Sequence, residues 1–405
     1  TNRIREITLG DTSSIQTVIG EVYPQGDGIL SLARLGSPQD ITRNEDHSSE
    51  SKDVWWISDG LEERVRSLVM YKDDGEDEDA LTTVVGYDGG FGHSDELYDS
   101  DTPDNNFVAA EKARLFSGAG PLVYDLITNA VYVAETEGHT LRCIAVPLEG
   151  VPVVSTVAGV YGEPGYEASP DSVLETHFNG PAGLALAENS RVLYVADSGN
   201  HIVRSIELDA INPCVFLDGA DFNLVAGQPE TLGMILDDGA LASDSYFNTP
   251  TGLVAASDGS VYVADSQNHR VRRLYYDGDS QVIETVMGDG FPGEGGEGTP
   301  ASVFRLDTPQ GLELDAYGNL YIASAASIRQ VGAGADSVAR GSDKTAYIYG
   351  APPRISTPEN ISLCVRGLAF ATQNFTDDTL LFTDGCTGLL GKVVHKVIDS
   401  EDGSL

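Results

Sequence analysis

The sequence predicts an all-β fold, a six-bladed β-propeller of four-stranded antiparallel blades, and three observations predict it. A short β-type run ending in an acidic or small polar residue recurs six times along the 405 residues. Each copy is flanked by further strands set off by Gly and Pro turns. No segment of useful length carries apolar residues at helical spacing, so the crossover helices of a parallel α/β fold are missing.

The central run is the most regular element. Its copies are VWWISDG at 54–60, VYVAETEG at 131–138, LYVADSGN at 193–200, VYVADSQN at 261–268, LYIASAAS at 320–327 and LLFTDGCT at 380–387. Aligning Asp59, Glu135, Asp197, Asp265, Ser324 and Asp384 gives spacings of 76, 62, 68, 59 and 60 residues. The runs are nearly continuous in Val, Tyr, Ile and Ala, as expected of strands buried on both faces. One four-stranded sheet cannot bury both faces alone, whereas six packed in a ring can.

The other strands follow in fixed order. Ahead of the central run lies an apolar strand announced by Gly or Pro: FNGPAGLALA at 178–187, FNTPTGLVAA at 247–256, LDTPQGLELD at 306–315, and the looser GPLVYDL and RGLAFA. Behind it comes a strand built around Arg66, Arg142, Arg204, Arg272 or Arg329, the first four each seven residues after the aligned acid. A fourth strand closes on Gly, as in LTTVVG, VSTVAG, FNLVAG, IETVMG and TAYIYG. These limits place the units at about 30–86, 111–159, 174–227, 242–288, 302–350 and 360–398. The last unit lacks a fourth strand, and SSIQTVIG at 13–20 is expected to complete it, joining the two ends of the chain and closing the ring. NRIREI at 2–7 is a second candidate for the same place.

These pieces resemble NHL repeats, named for the Asn-His-Leu triplet that opens the Arg strand. The triplet stands here as Asn200-His201-Ile202 and Asn268-His269-Arg270, with a weaker Gly138-His139-Thr140. The composite from TVAG through FNxPxG to YVADSxNH is similar to NHL proteins of secreted bacterial type. The resemblance is strong over 150–335 and loose over 30–150 and 336–405. It implies a six-bladed propeller, but it implies function poorly, because the family includes RNA binders, protein-interaction modules and a lyase acting on peptidyl-hydroxyglycine.

Charge narrows the choice. With 63 Asp plus Glu against 24 Lys plus Arg, the net charge is −39, so a phosphate backbone would meet repulsion and nucleic acid is excluded as a partner. Only six of the cations are Lys. Such a surface suits salty or calcium-containing fluid, and equally a generic acidic secreted protein. No apolar run approaches the roughly 18 residues of a membrane span. The chain starts at Thr1, consistent with a processed form or a piece of a longer secreted or cell-surface polypeptide. Cys143, Cys214, Cys364 and Cys386 have no metal-type spacing and fit two disulfides, Cys364 with Cys386 inside one blade and Cys143 with Cys214 between adjacent blades. Free buried thiols are the alternative. Asn360-Ile-Ser and Asn374-Phe-Thr are glycosylation sequons.

Candidate chemistry is sparse. The lyase resemblance implies zinc held by histidines from several blades, and His139, His201 and His269 do recur, yet at the repeat's own His position. Their structural reading is that each imidazole satisfies turn or interblade polar groups. His47, His93, His177 and His395 share no repeat position. Asp59, Glu135, Asp197, Asp265 and Asp384 either pair with the recurring Arg to hold each blade or aim carboxylates at the channel mouth, where calcium is the natural guest. There is no G-x-S-x-G elbow, and the Gly-rich stretch from Gly288 to Gly298 precedes no helix, so it reads as a blade linker rather than a phosphate cradle. Acidic insertions at 43–53, 71–80 and 93–106 are solvated loops or a cation-binding or partner-docking edge.

The leading reading is therefore a non-catalytic extracytoplasmic module that binds a protein partner or small ligand at a propeller face or at its acidic loops. The rival is a divalent-metal propeller enzyme, a peptidyl-hydroxyglycine lyase or a lactonase-like hydrolase, with its site in the central channel.

Overall fold

The computed structural model describes residues 4–8, 14–19, 28–29, 35–44, 52–60, 63–71, 80–86 and 108–110, most of 113–350, and 365–370, 378–384 and 389–395. The chain opens with β1 (Ile4–Thr8), β2 (Ser14–Ile19) and the two-residue β3 (Gly28–Ile29). The first blade is β4 (Pro38–Asn44), β5 (Lys52–Asp59), β6 (Arg64–Tyr71) and β7 (Ala80–Val85), with β3 added on the outside of β7. After β8 (Val108–Ala109), the second is β9 (Ala119–Asp125), β10 (Ala130–Glu135), β11 (Thr140–Ala145) and β12 (Val153–Ala158), and β8 lies outside β12.

The third blade is β13 (Pro181–Ala187), β14 (Val192–Asp197), β15 (Ile202–Glu207) and β16 (Asn223–Ala226). The fourth is β17 (Pro250–Ala255), β18 (Val261–Asp265), β19 (Arg270–Asp277) and β20 (Ser280–Met287). The fifth is β21 (Leu312–Leu314), β22 (Leu320–Ser324), β23 (Ser327–Val331) and β24 (Thr345–Gly350). Each of these five is a meander of four consecutive antiparallel strands. The fold is an all-β propeller of such blades.

The last sheet departs from the expected pattern. It holds β25 (Val365–Phe370), β26 (Asp378–Asp384) and β27 (Leu389–His395), then β1 laid parallel on β27, then β2 antiparallel on β1. The sequence predicts six equivalent blades, and among the described residues five are complete four-stranded antiparallel blades. The neighbour of β27 is also not the segment 13–20 but residues 4–8. The two N-terminal runs pair with each other, and contact between the chain ends decides which of them meets β27. Gly10-Asp11 is a turn signal between two Ile-bearing runs, so the N-terminus enters the sheet as a hairpin whose first strand takes the inner position.

The innermost strands are β4, β9, β13, β17, β21 and β25, and each packs on the next, β25 lying against both β21 and β4. The apolar clusters sit between neighbouring sheets rather than within one. Tyr132 and Cys143 of the second blade meet Phe178, Leu193 and Phe222 of the third, and Trp55, Ile57 and Leu68 of the first meet Ala369 and Leu381 of the last sheet. Fully burying one such side chain is worth about 1.5–3 kcal/mol. That is why the central strands tolerate so few polar residues.

The Gly that ends the fourth strand has a steric cause. Gly159, Gly227 and Gly288 adopt φ of 96°, 95° and 105°, and a Cβ there would come within 2.5, 2.6 and 2.2 Å of the carbonyl oxygens of His139, His201 and His269. Among the described residues no helix is long and apolar enough to cross a membrane.

Candidate functional site

The recurring acids stand at the ends of the second strands and face into their own blades. Asp59 is fully buried and accepts hydrogen bonds from the Gly36 and Ser37 amides at 2.7–3.0 Å, with Arg66 Nε at 3.9 Å. Asp197 accepts from the Asn179 amide at 2.7 Å and Asn200 Nδ2 at 2.8 Å, with Arg204 at 3.9 Å. Asp265 repeats this with the Asn248 amide and Asn268 Nδ2. Glu135 accepts from Thr140 Oγ1 at 2.6 Å and lies 3.5 Å from Arg142. Burial pushes the carboxyls of Asp197 and Asp265 up to about 6 against the amide hydrogen bonds and the Arg.

Asp59, Asp197 and Asp265 thus each fasten the turn that leads into their own blade, whereas Glu135 bonds the strand that follows it. Their oxygens are engaged by backbone amides and by Arg, Asn or Thr side chains of that blade. Such oxygens do not fit a shared calcium site at a channel mouth. The Asp384 side chain lies outside the described residues.

The residues after each acid reach the other way, into the following blade. Thr136 Oγ1 donates to the Pro181 carbonyl at 2.8 Å, and Ser198 and Ser266 donate to the carbonyls of Pro250 and Pro309. His139, His201 and His269 occupy the left-handed region at φ of 60°, 59° and 52°. Their Nδ1 atoms accept the amides of Gly180, Thr249 and Thr308 in the next blade at 3.0, 3.2 and 3.2 Å. An accepting Nδ1 requires the neutral ring, and burial holds the His139 and His201 pKa below the usual range. The structural reading of the repeat's histidines is the one the geometry supports.

The innermost strands line two adjoining cavities. The cavity on the side of the blade linkers, about 400 Å3, is bordered by Gln39, Asp40, Glu137, Thr251, Gln310 and Arg366. The opposite one, about 610 Å3, runs down the strands past Tyr124, Ala185, Val254 and Phe370. Between them stand Leu184, Leu253, Leu312 and Leu368, which line both.

Asp40 was not anticipated. It occupies the position held by Gly183, Gly252, Gly311 and Gly367 in other units, so setting PQD beside the P-x-G of the third, fourth and fifth blades would have exposed it. The glycines are there because a Cβ on Gly183, Gly252 or Gly311 would come within 1.9 Å of a carbonyl oxygen of the next blade, that of Thr251, Gln310 or Arg366. At Asp40 the carboxylate instead accepts the Leu122 amide of the second blade at 3.1 Å and its neighbour Ile41 at 2.9 Å, and it packs on Gly367 of the last sheet. Desolvation in that enclosure pushes its carboxyl up to about 7 against those two amide bonds. Gln39 beside it accepts from Arg366 and, through its carbonyl, from Thr383 Oγ1.

The remaining candidates do not converge. His177 sits between Glu163 and Glu167 on a blade linker, at 3.6 and 3.8 Å, and no group of three metal-binding side chains occurs among the described residues. His47, His93, Cys364, Cys386, the sequons, and the loops 71–80 (beyond its two ends) and 93–106 lie outside the described residues, as do most of 43–53 and the His395 side chain. Cys143 and Cys214 are bonded, with a Cα–Cα distance of 5.4 Å, and tie the second blade to the third. Close by, Arg191 forms a bidentate pair with the buried Asp125 across the same seam.

The NHL repeat model matches residues 178–204 and 247–274, which span the inner strand, the acid and the His of the third and fourth blades. The third and fourth blades carry NHL repeats. Among curated relatives, this chain is similar to SUPPRESSOR OF QUENCHING 1, chloroplastic, of Arabidopsis thaliana. Identity is 26% over 216 residues, 52% of this chain and 19% of that one. It is also similar to NHL repeat-containing protein 2 of Bos taurus, 30% identical over 117 residues, 27% of this chain and 15% of that one. The matched stretches span less than a fifth of those relatives. An auxiliary nutrient binding protein from Bacteroides thetaiotaomicron shares the fold, with a TM-score of 0.57 at 9% identity over 93% of this chain and 75% of that one.

Proposed function

We propose that this NHL propeller is a non-catalytic module for binding and assembly, working outside the cytoplasm as part of a larger polypeptide. One observation carries the reading. The polar side chains that recur with the repeat are engaged in fastening blades, the acids inward and the Ser, Thr and His forward. A catalytic set would need several of them converging on one reacting atom. The cyclic packing of the six innermost strands and the apolar cluster between the first and last sheets support a closed ring of six, with the N-terminal hairpin completing the last sheet. The Cys143–Cys214 bond and the relative that is named chloroplastic support a location away from the reducing cytosol. A protein partner or small ligand would then meet a propeller face or the acidic loops.

Metal analysis of the purified protein, paired with thermal melting in calcium, in zinc and in chelator, tests this. The expected result is a melting transition that none of the three moves. Stoichiometric zinc or calcium whose removal lowers the transition would overturn the reading in favour of a metal enzyme of the channel.

A further inference from the structure

The outer rims of the blades are treated unevenly. The outer edge of β7 is covered by β3, that of β12 by β8, and that of β20 by the linker segment 239–241, which bonds to Ile283 at 2.7 and 3.1 Å. In each case the cover is a short extended segment laid antiparallel or bridged onto the last strand. Among the described residues no strand covers β16.

That rim is also apolar. Phe216 bridges to Leu208 and Leu217 donates to the Glu207 carbonyl, so 216–217 and β16 form one interrupted outer strand along β15. Phe216 and Phe222 turn inward and meet edge to face at 5.8 Å. Val215, Leu217 and Leu224 stay 41%, 45% and 38% exposed, with Ile211 at 82%. An extended apolar edge of this kind is a template for another strand unless something covers it.

Charge selects the occupant. Exposed Glu207 and Asp221 flank the strip, with Asp209 at its end, and the sequence has no Lys between Lys112 and Lys344. The local Arg residues, Arg191 and Arg204, are bound to Asp125 and buried beside Asp197 respectively. A second copy of this chain would bring carboxylates against carboxylates, at a molecular charge of −39. We infer that the outer edge of the third blade is a docking edge for an extended, apolar and Lys- or Arg-bearing segment of another protein, added to β16 as a further strand.

A fluorescent ten-residue peptide alternating Val and Lys, with blocked ends, is the probe, read by anisotropy against the whole chain at physiological salt. Saturable binding is expected, and it should fall at least tenfold for a peptide of equal charge in which alternate Val residues are Pro, because those residues lack the amide donor. The protein variant Leu217→Lys/Leu224→Lys should lose binding to the same extent with its melting transition unmoved, since both side chains point to solvent. No saturable binding, or equal binding of the Val/Lys and Pro-bearing peptides, overturns the inference and leaves only diffuse attraction to an acidic surface. The Pro comparison needs no variant, so it decides even if the double substitution misfolds.

Discussion

At the scale of single residues, the D-S-x-N-H segment divides its work by direction. The acid holds its own blade and the hydroxyl and imidazole hold the next, as Asp265, Ser266 and His269 illustrate. Ser266→Ala leaves the buried Pro309 carbonyl without that donor and should cost about 1–2 kcal/mol in denaturant unfolding. His201→Asn keeps a residue that tolerates positive φ but is too short to reach Thr249, with an expected loss of about 1 kcal/mol. Thr308 makes the opposite case. It is β-branched at φ of 45°, where Gly180 stands in the third blade, and that conformation is costly for such a side chain. Thr308→Gly should therefore raise stability by about 1 kcal/mol, and a fall in the unfolding midpoint would show that the Thr308 hydroxyl bond to Asp307 outweighs the strain.

At the scale of elements, the second and third blades are joined more firmly than hydrogen bonds alone provide. The Cys143–Cys214 link spans 71 residues, and by loop-closure entropy its removal in Cys143→Ser/Cys214→Ser should cost roughly 4 kcal/mol, measured as a lower unfolding midpoint under oxidising conditions. Strand identity was legible in the sequence because burial on both faces leaves a strong chemical mark. VYVAE at β10 and VYVAD at β18 are apolar up to the acid because both faces of those strands are packed. The pairing of β1 with β27 was not legible. Which of two N-terminal runs sits next to the last strand is decided by tertiary contact between chain ends, and neither run differs locally from a blade strand. The forward reach of His and Ser was half legible, since the repeat marks the positions without showing which blade they serve.

At the scale of the whole molecule, titration should shape stability. The folded carboxyls of Asp40, Asp197 and Asp265 titrate near 7, 6 and 6, above the ordinary value of 3.8. At these three sites the folded state binds more protons than the unfolded chain between about pH 4 and pH 7, so the stability they contribute falls as pH rises through that window, while the lowered carboxyls of Asp125 and Asp258 act in the opposite sense. His139 and His201 act in the opposite sense, because their folded pKa lies below 6.5 and the unfolded chain takes up protons first on acidification. The Asp40→Asn variant isolates the first effect. Relative to the parent it should gain stability between pH 5 and pH 8, on the order of 1–2 kcal/mol. A difference that stays constant across that range would place Asp40 in a far more hydrated setting than its contacts with Leu122 and Gly367 indicate.

The forward-pointing contacts also bear on how such a molecule fails. Thr136, Ser198 and Ser266 donate to carbonyls of the following blade, and His139, His201 and His269 accept its amides, so each of these seams has two unlike sides. An arc of blades parted at one seam ends in a hook on one side and its matching eye on the other. Two parted arcs are thereby complementary head to tail, and mild unfolding should yield linear chains of swapped propellers rather than symmetric pairs.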